Sequence, residues 1–376
     1  MQKAIDKAKL LADVVIGLGH LGVDPSSSPW TSEEVIAHTS GFDAFIDGHS
    51  HTVMENKQVQ DASGKAVTLT QTGSYFANVG EMTIAADGTI TTKLIPTHEG
   101  MDAGIAAMQT GWVNTVDDML GEKIAVGDSD FYVSDPATGK RRIRSAETNL
   151  GDFVADGIYT YFNEVEKLHC DVAIMNGGGI RADVPAGDWT FKTCKQVSPF
   201  GNVACLMSVT GKQIQDALEF AARFAGEDGK ENGGFLQVAG ATYEIHTDIP
   251  NTVQTDEKNV WIGSATGIPR VQNVKIYDKA SGSYLPLDLG ATYALAGMNY
   301  TLRNLGDGFA MFDGAELIKD YVSEDYLVMS TYAMTFDGAD AAGLPHLSSA
   351  NSPLAAYPGY LLNYEQPYGA GRITIL

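Results

Sequence analysis

Apolar residues in the first third of the chain form short runs that end in glycine or polar residues. The run at residues 14–18 predicts a buried strand after a short helix that ends near Leu11. DAFIDGHSHT and AVTLTQTG predict two further strands, and EMTIAADGTITTKLI predicts a hairpin that turns at Asp87-Gly88. Between residue 97 and about residue 120 the apolar positions recur at steps of three and four, which predicts a helix. This helix is interpreted as a connector.

Strand and helix patterns alternate again after the connector. Helices are predicted in ETNLGDFVADGIYTYFNEV, TGKQIQDALEFAARF and GAELIKDYVSE, and strands in DVAIMNGGG, ATYEIHT, RVQNVKIYD and YALAGMNYTL. The fold class is therefore α/β throughout. The predicted division is a small α/β piece at residues 1–96, a linker helix at 97–120 and a larger α/β domain at 121–376.

Composition narrows the class of protein. A chain of 376 residues with 44% hydrophobic and 19% charged residues is long and apolar enough for two globular domains, which excludes disordered and fibrous classes. The formal charge of −22 argues against a nucleic-acid partner, because phosphate backbones are held by clustered Lys and Arg. An anionic substrate would need local cations or metals.

No apolar stretch approaches the roughly 20 residues of a membrane span, and no export signal is visible. Cys170, Cys194 and Cys205 have no CxxC spacing and are predicted to be buried thiols.

Three histidines lie at the ends of two predicted strands. His20 follows the first apolar run, and His49 and His51 stand two residues apart after another. Side chains at i and i+2 of an extended segment point the same way, so the last two imidazoles can converge on one ion. The alternative is that they are loop histidines bonded to backbone. The other five histidines are expected to have structural or surface roles: His38, His98, His169, His246 and His346.

LADVVIGLGHLG followed by FDAFIDGHSHT resembles the last third of a calcineurin-like metallophosphoesterase domain, specifically that of the 5′-nucleotidase and UDP-sugar hydrolase family. The resemblance implies part of a β-sandwich flanked by helices. It implies that His20, His49 and His51 are metal ligands in a site where two divalent ions, most plausibly zinc or manganese, clamp a phosphate and supply a metal-bound hydroxide.

The sequence departs from this family where the other half of the metal site is expected. The DxH pair, the bridging Asp and the GNHE or GNHD motif with its leaving-group histidine do not occur. Three histidines are therefore expected to hold one ion at most, and no catalytic residue is identified. We expect the chain to be a fragment that lacks the first half of the metal site. The missing N-terminal half of the same protein is then a possible partner.

A second group of motifs lies in the larger domain. NGGGIR places Asn176, Gly178 and Arg181 after a buried strand, where a glycine loop can expose backbone N–H groups and an arginine can clamp a phosphate. ETNLG, NGGGIR, SPFGN, GGFLQVAG and NLGDG occur in the order found in the C-terminal domain of 5′-nucleotidases. This resemblance covers residues 147 to 312.

The resemblance implies a nucleotide pocket in which two aromatic rings enclose the base. Phe235 and Tyr300 match these rings, Asp307 matches the carboxylate that accepts ribose hydroxyls, and Arg181 matches the arginine that guides the phosphate. Asn202 of PFGN is either a further ligand contact or part of a packing turn. Core packing is the alternative for both rings, although the glycines around them favour exposed rings at a cleft. Tyrosine replaces phenylalanine in the second ring, and LGDG replaces GGDG.

Three functions remain open. The first is metal-dependent hydrolysis of nucleoside 5′-monophosphates to nucleoside and phosphate, with residues 97–120 as a hinge. The second is a nucleoside- or nucleotide-binding module without catalysis. The third is hydrolysis of a UDP-sugar or a 2′,3′-cyclic nucleotide. The resemblance also implies relatives that are periplasmic, extracellular or attached to the cell surface, and the location of this chain is left open.

Overall fold

The computed structural model describes residues 1–24, 27–97, 100–227 and 229–376, which divide into two compact units, Met1–Ala106 and Ala107–Leu376. The helices are α1 (Gln2–Lys9), α2 (Ser32–Ala37), α3 (Ala103–Leu120), α4 (Asn149–Thr160), α5 (Phe191–Val197), α6 (Gly211–Ala221), α7 (Asn299–Leu302) and α8 (Asp325–Ala333). The strands of the first unit are β1 (Ile16–Leu18), β2 (Ala44–Ile46), β3 (Val53–Gln60), β4 (Ala66–Thr72), β5 (Asn78–Ile84) and β6 (Ile90–Pro96).

The strands of the second unit form several sheets. They are β7 (Lys123–Gly127), β8 (Val172–Asn176), β9 (Gly187–Thr190), β10 (Ala204–Thr210), β11 (Leu236–Ala239), β12 (Ala241–Ile245), β13 (Gln254–Thr255), β14 (Trp261–Gly263), β15 (Val271–Asp278), β16 (Ser283–Pro286), β17 (Thr292–Met298), β18 (Glu316–Lys319), β19 (His346–Leu347) and β20 (Ile373–Ile375). The α/β class is confirmed. No helix among the described residues is long and apolar enough to cross a membrane.

The first unit is built on a four-stranded sheet of order β1-β2-β4-β3. β1, β2 and β4 are parallel, and β3 is antiparallel to β4. Phe45 of β2 and Leu69 of β4 are buried together with Ile36 of α2. The predicted burial of the first strand is wrong, because β1 lies at the edge of this sheet and Leu18 is 83% exposed. The hairpin at Asp87-Gly88 is confirmed, with β5 paired to β6.

The connecting helix is shorter than its sequence pattern predicts. α3 begins at Ala103 because Asp102 caps it, its Oδ1 accepting the N–H of Ile105 at 2.9 Å. The helix ends at Leu120, as the pattern predicts, and the division between the two units falls inside it. The predicted start at Thr97 is wrong, because Thr97 lies outside the helix and donates its N–H to Ala77 O at 3.1 Å. The surface role of His98 cannot be compared, since residues 98 and 99 lie outside the described residues.

The second unit contains a five-stranded sheet of order β11-β8-β17-β10-β18. β8 is parallel to β17, whereas β11 is antiparallel to β8 and β10 is antiparallel to β17. Every residue of β8 is buried, as expected of a strand covered on both faces. One hydrophobic cluster includes residues of α4 and α8 and another includes residues of α6, while Cys170, Cys194 and Cys205 are buried thiols as predicted.

The register of this sheet brings strand ends together. Leu236 pairs with Asn176, and Ala204 pairs with Met298. The carboxyl ends of β8 and β17 therefore meet the amino ends of β11 and β10 at one edge. Ligand sites of open α/β sheets gather at such an edge.

One predicted helix of the second unit is a strand. GAELIKDYVSE contains β18, in which Leu317 pairs with Met207 and Lys319 with Leu206 of β10. The helix begins later, at Asp325, as α8. The backbone of β18 completes hydrogen bonds along β10, and this tertiary pairing overrides the helical spacing of the segment.

Candidate functional site

Asp307 is the centre of a hydrogen-bonded group at this edge of the sheet. Its Oδ2 accepts the side-chain amide of Asn176 at 3.2 Å, and its Oδ1 accepts the hydroxyl of Tyr300 at 2.9 Å. Leu305 and Asp307 both have left-handed backbone angles, φ 56° and 54°. Gly306 lies so close to the Tyr300 ring that a Cβ would come within 2.5 Å of it. Burial, and then the Asp307 carboxylate, raise the pKa of Tyr300, so its hydroxyl stays a donor.

The glycine turn after β8 is fixed by the segment before β11. Gly177 donates its N–H to Phe235 O at 2.7 Å, and Gly178 donates its N–H to Gly233 O at 2.8 Å. Gly178 is therefore close to Asn176 and Asp307, but its N–H is already bonded and is not open to a phosphate. A Cβ at Gly177 would lie 2.3 Å from the carbonyl oxygen of Ile143, so only glycine fits.

The side chain of Asn176 is buried and only partly hydrogen-bonded by the described residues. Its residue is 5% exposed, and its Oδ1 has no hydrogen-bond partner among the described residues. A buried acceptor without a donor is costly, and such atoms in native proteins point to an unfilled site or a bound water.

Arg181 lies beside an exposed aromatic ring. One of its terminal nitrogens donates to Gly178 O at 3.3 Å, and its guanidinium carbon is 5.7 Å from the centre of the Phe200 ring. Phe200 is 58% exposed, and Asn202 follows it in the turn before β10. The structure thus brings Asn202 to the same edge as Asn176, because β10 and β8 flank β17.

The expectation of an exposed ring at Phe235 is wrong. Phe235 is 1% exposed and belongs to a hydrophobic cluster with Leu236 and Phe309. Its N–H donates to Asn232 O and its carbonyl accepts Gly177 N–H, and in this backbone geometry the ring lies in the core. Phe200 instead presents the exposed phenylalanine ring, with Tyr300 36% exposed after β17. PFGN was noted in the sequence for Asn202 alone, and its aromatic residue in a Pro-Gly turn was the missed signal.

Arg144 is a second residue that the sequence reasoning missed. Its Nε is buried without a hydrogen-bond partner among the described residues. Burial, with the charges of Arg141 and Arg181, lowers the pKa of Arg144 to about 10, and Glu231 and Asp307 act in the opposite direction. The guanidinium groups of Arg141 and Arg181 therefore both act on that of Arg144, and the Asp307 carboxylate is near enough to offset part of their effect. The signal was the cluster RRIR at residues 141–144, two residues before ETNLG, in a strongly acidic chain.

In the first unit, two of the three predicted metal ligands are neighbours. The rings of His20 and His49 have centroids 5.3 Å apart at an angle of 73°. The ring of His51 lies against Tyr75, with centroids 6.2 Å apart. His49 and His51 have φ values of 78° and 54°, so the segment is left-handed rather than extended. The i and i+2 argument for their convergence therefore does not hold.

Two glycines make room for the neighbouring imidazoles. A Cβ at Gly48 would lie 2.9 Å from Nδ1 of His20, and a Cβ at Gly22 would lie 3.0 Å from Cδ2 of His49. The nearby Asp47 is buried and its Oδ1 accepts the N–H of Leu21. Two imidazoles in such a cradle suit zinc, whereas manganese prefers oxygen donors. The described residues hold no group of three or more His, Cys, Asp and Glu that could bind a metal ion, so the fit covers part of a ligand set.

The remaining described histidines form pairs on or near the surface. His169 contacts Asp171, His246 contacts Glu244 and His346 contacts Asp128. Nδ1 of His38 is 2.8 Å from Glu34 O. These contacts agree with the structural or surface roles predicted for them.

Comparisons with known proteins bear on both units. The model of the 5′-nucleotidase C-terminal domain matches residues 124–314. The trifunctional nucleotide phosphoesterase protein YfkN of Bacillus subtilis is 30% identical over 328 residues, which are 84% of this chain and 20% of that protein. The human 5′-nucleotidase is 26% identical over 362 residues, 88% of this chain and 58% of that protein.

A solved structure has the same fold. The 5′-nucleotidase precursor from Thermus thermophilus superposes with a TM-score of 0.65 at 23% identity, covering 100% of this chain and 66% of that one. The chain thus spans less than two thirds of the length of these relatives. The family model alone covers half of the chain, and it includes Arg144, the glycine turn, Phe200, Tyr300 and Asp307. The chain belongs to the 5′-nucleotidase family of nucleotide phosphoesterases, and residues 124–314 are its C-terminal domain.

Proposed function

We propose that this chain binds nucleoside 5′-monophosphates in its second unit and takes part in their hydrolysis to nucleoside and phosphate. The observation that carries the proposal is the convergence of aromatic, carboxylate, amide and guanidinium groups at one sheet edge. A ligand with a base, a ribose and a phosphate could contact all four kinds of group.

Arg144 and Arg181 are the proposed phosphate contacts. The chain carries a formal charge of −22, so an anionic ligand needs local positive charge to approach it. The unpartnered Nε of Arg144 is a donor that a phosphate oxygen would satisfy. Guanidinium groups suit phosphate because their planar donors can bind two oxygens at once.

Asp307 and Asn176 are the proposed ribose contacts. Asp307 keeps its oxygens near the surface while Asn176 and Tyr300 orient it. A ribose hydroxyl could donate to Asp307 or to the open Oδ1 of Asn176. Phe200 and Tyr300 are the proposed stacking rings, and by analogy with bases stacked on proteins each contact contributes about 1–3 kcal/mol. Asn202 and Gly178 are proposed to shape the pocket.

His20 and His49, with His51 as a candidate, are the proposed metal ligands of this chain. The family is metal-dependent, and a bound divalent ion supplies polarisation of the phosphate and activation of water. Zinc suits imidazole donors, whereas manganese would need oxygen donors among the remaining ligands. We propose that the remaining ligands come from polypeptide outside the printed sequence. The incomplete ligand set among the described residues and the share of the relatives' length support this.

A nucleoside-binding module without catalysis is the second candidate function. The specific observation in its favour is that the pocket residues converge whereas the described residues include no complete metal site. UDP-sugars and 2′,3′-cyclic nucleotides would use the same ring, ribose and phosphate contacts.

The proposed domain division is 1–96, 97–120 and 121–376, with the linker as a hinge. The boundary between the two compact units lies inside α3, whose described side chains are all solvent-accessible, and this supports the division. Export of the chain is also a proposal. It is supported by the family resemblance and by the description of the Thermus protein as a precursor.

The test measures phosphate release from AMP with added Mn²⁺ or Zn²⁺, and adenosine binding by calorimetry, with the 376-residue chain. His49→Ala removes a proposed ligand, and His38→Ala is the matched control because His38 is an exposed histidine bonded to Glu34 O. Metal-dependent release lost only in His49→Ala supports hydrolysis and contradicts the proposal that the remaining metal ligands lie outside this chain. Adenosine binding without release supports the binding module, and absence of both contradicts the pocket.

A further inference from the structure

The turn that carries Phe200 is fastened to the residue before Tyr300. The N–H of Val203 donates to Oδ1 of Asn299 at 2.9 Å, and the N–H of Asn299 donates to Val203 O at 2.8 Å. Asn299 is the first residue of α7, and Tyr300 is the second. One side chain and one peptide group thus join the two segments that present the exposed rings.

A buried carboxylate fastens the same turn from the other side. Oδ2 of Asp325 accepts the N–H of Asn202 at 3.1 Å, and the N–H of Asp325 donates to Asn202 O at 2.8 Å. Asp325 is 2% exposed and begins α8, where its charge also faces the helix N-terminus. Its other oxygen accepts the N–H of Tyr326.

We propose that Asn299 and Asp325 are positioning residues of the nucleoside pocket, which hold the Phe200–Asn202 turn at a fixed place relative to Tyr300. The inference rests on the proposed function, because it requires a base to bind at these rings. The Phe200 ring is largely exposed, so its position depends on the backbone of the turn rather than on core packing. Gly201 in that turn has a φ of 67°, a conformation that glycine adopts without strain. Without the two fastenings the turn would have to be ordered when the ligand binds, which weakens binding.

Asp325 also makes the pocket sensitive to pH. Burial raises the pKa of Asp325 to about 6. The hydrogen bonds from the N–H groups of Tyr326 and Asn202, and then the charge of Lys195 in α5, oppose this shift, whereas the adjacent Glu324 adds to it. Lys195 and Glu324 themselves form an ion pair at 3.6 Å. When Asp325 is protonated its oxygen is a weaker acceptor for Asn202 N–H, so nucleoside affinity should fall as the pH falls through about 6.

Protonation of Asp325 changes the folding stability in the opposite direction to the nucleoside affinity. A carboxyl whose pKa is higher in the folded than in the unfolded chain contributes stability at low pH, and this contribution is lost as the pH rises through the folded value of about 6. When the pH falls from 7.5 to about 5, protonation of Asp325 therefore stabilises the folded state and at the same time weakens the hydrogen bond that holds the turn. Weaker binding at the lower pH cannot then be attributed to unfolding at this carboxyl.

The experiment measures adenosine binding by calorimetry at pH 7.5 and pH 5 with the full chain. Asn299→Ala and Asp325→Asn should each weaken binding at pH 7.5 by about threefold to tenfold, the usual effect of losing one side-chain hydrogen bond. Asn299→Asp keeps an acceptor for Val203 N–H and should restore most of the affinity. Glu324→Gln is the matched control for Asp325→Asn, since it removes a neighbouring charge without touching Asn202. Asp325→Asn should also abolish most of the pH dependence.

The outcomes separate the inference from the function on which it rests. Wild-type affinity for Asn299→Ala and Asp325→Asn would overturn the positioning role while leaving the pocket intact. Affinity of the wild-type chain that is flat between the two pH values would overturn the pH sensitivity assigned to Asp325. No adenosine binding by the wild-type chain would overturn both. If Asn299→Ala fails to fold, the wild-type pH profile and the Asp325→Asn and Glu324→Gln pair still decide the question.

Discussion

Phe200 and Phe235 differ in exposure, and this difference predicts opposite effects for the same substitution. Phe200→Ala should weaken adenosine binding by the energy of one stacked base, about 1–3 kcal/mol, and change the free energy of unfolding by less than about 0.5 kcal/mol. Phe235→Ala should lower the free energy of unfolding by about 3–5 kcal/mol, because it leaves a cavity in the core. Calorimetry measures the first effect and urea denaturation the second. Weakened binding in a fully stable Phe235→Ala protein would show that Phe235 is the stacking ring instead.

Arg144 is expected to contribute to the binding of the phosphate but not to the binding of the nucleoside. Arg144→Met is expected to weaken AMP binding by about 1.5–3 kcal/mol, the range for a hydrogen bond to a charged group, and to leave adenosine binding unchanged. It should lower stability little, because the replacement removes a buried Nε that has no hydrogen-bond partner among the described residues and keeps an apolar chain of similar length. Arg141→Met, at an exposed arginine paired with Glu231, is the matched control. An equal loss of affinity for AMP and for adenosine would show that Arg144 shapes the pocket and does not bind the phosphate specifically.

The order of the motifs was enough to predict which loops lie together at the sheet edge, but not which side chains are exposed there. Asn176, Arg181, Tyr300 and Asp307 come together as their motifs imply. Phe235 was misjudged because the adjacent glycines indicate a turn and do not tell toward which side the next side chain points. The left-handed backbone at His49 and His51 was equally invisible, since non-glycine residues adopt it only where the surrounding structure holds them there.

At the scale of elements, the segments with strong apolar periodicity were predicted well. β8, α4 and α6 lie where their patterns indicate, and Thr210 caps α6 by accepting the N–H of Gln213. β3 was missed because VMENKQVQ is mostly polar and gains its strand from pairing with β4. β18 was predicted as a helix for the converse reason, since its partner β10 lies about one hundred residues earlier and cannot be read from local spacing.

At the scale of the whole molecule, the second unit is closed around a buried ionic group near its C-terminus. Arg372 is fully buried, with one terminal nitrogen 2.7 Å from Asp156 and the other 2.9 Å from Val238 O. The hydroxyls of Tyr360 and Tyr364 also donate to Asp156. Glu147, in the ETNLG motif that precedes the nucleotide pocket in sequence, accepts the backbone N–H of Arg372 and of both its neighbours. The last strand, β20, is thereby tied to the start of α4.

Arg372→Met should destabilise the second unit by about 3–5 kcal/mol, because Asp156 would remain buried without its counter-charge. Arg303→Met, at a partly exposed arginine paired with Asp320, should cost no more than about 1 kcal/mol.

The hydrophobic clusters of the two units are separate, so we expect the destabilisation caused by Arg372→Met to be confined to the second unit. Hydrogen exchange measured by mass spectrometry separates peptides of residues 1–106 from those of residues 107–376. In Arg372→Met we expect faster exchange across the second set and unchanged exchange in the first, because opening of one cooperative unit need not expose the amides of another. Equal acceleration in both sets would mean that the two units unfold together. The nucleotide pocket would then depend on the fold of the histidine-bearing unit as well as on its own.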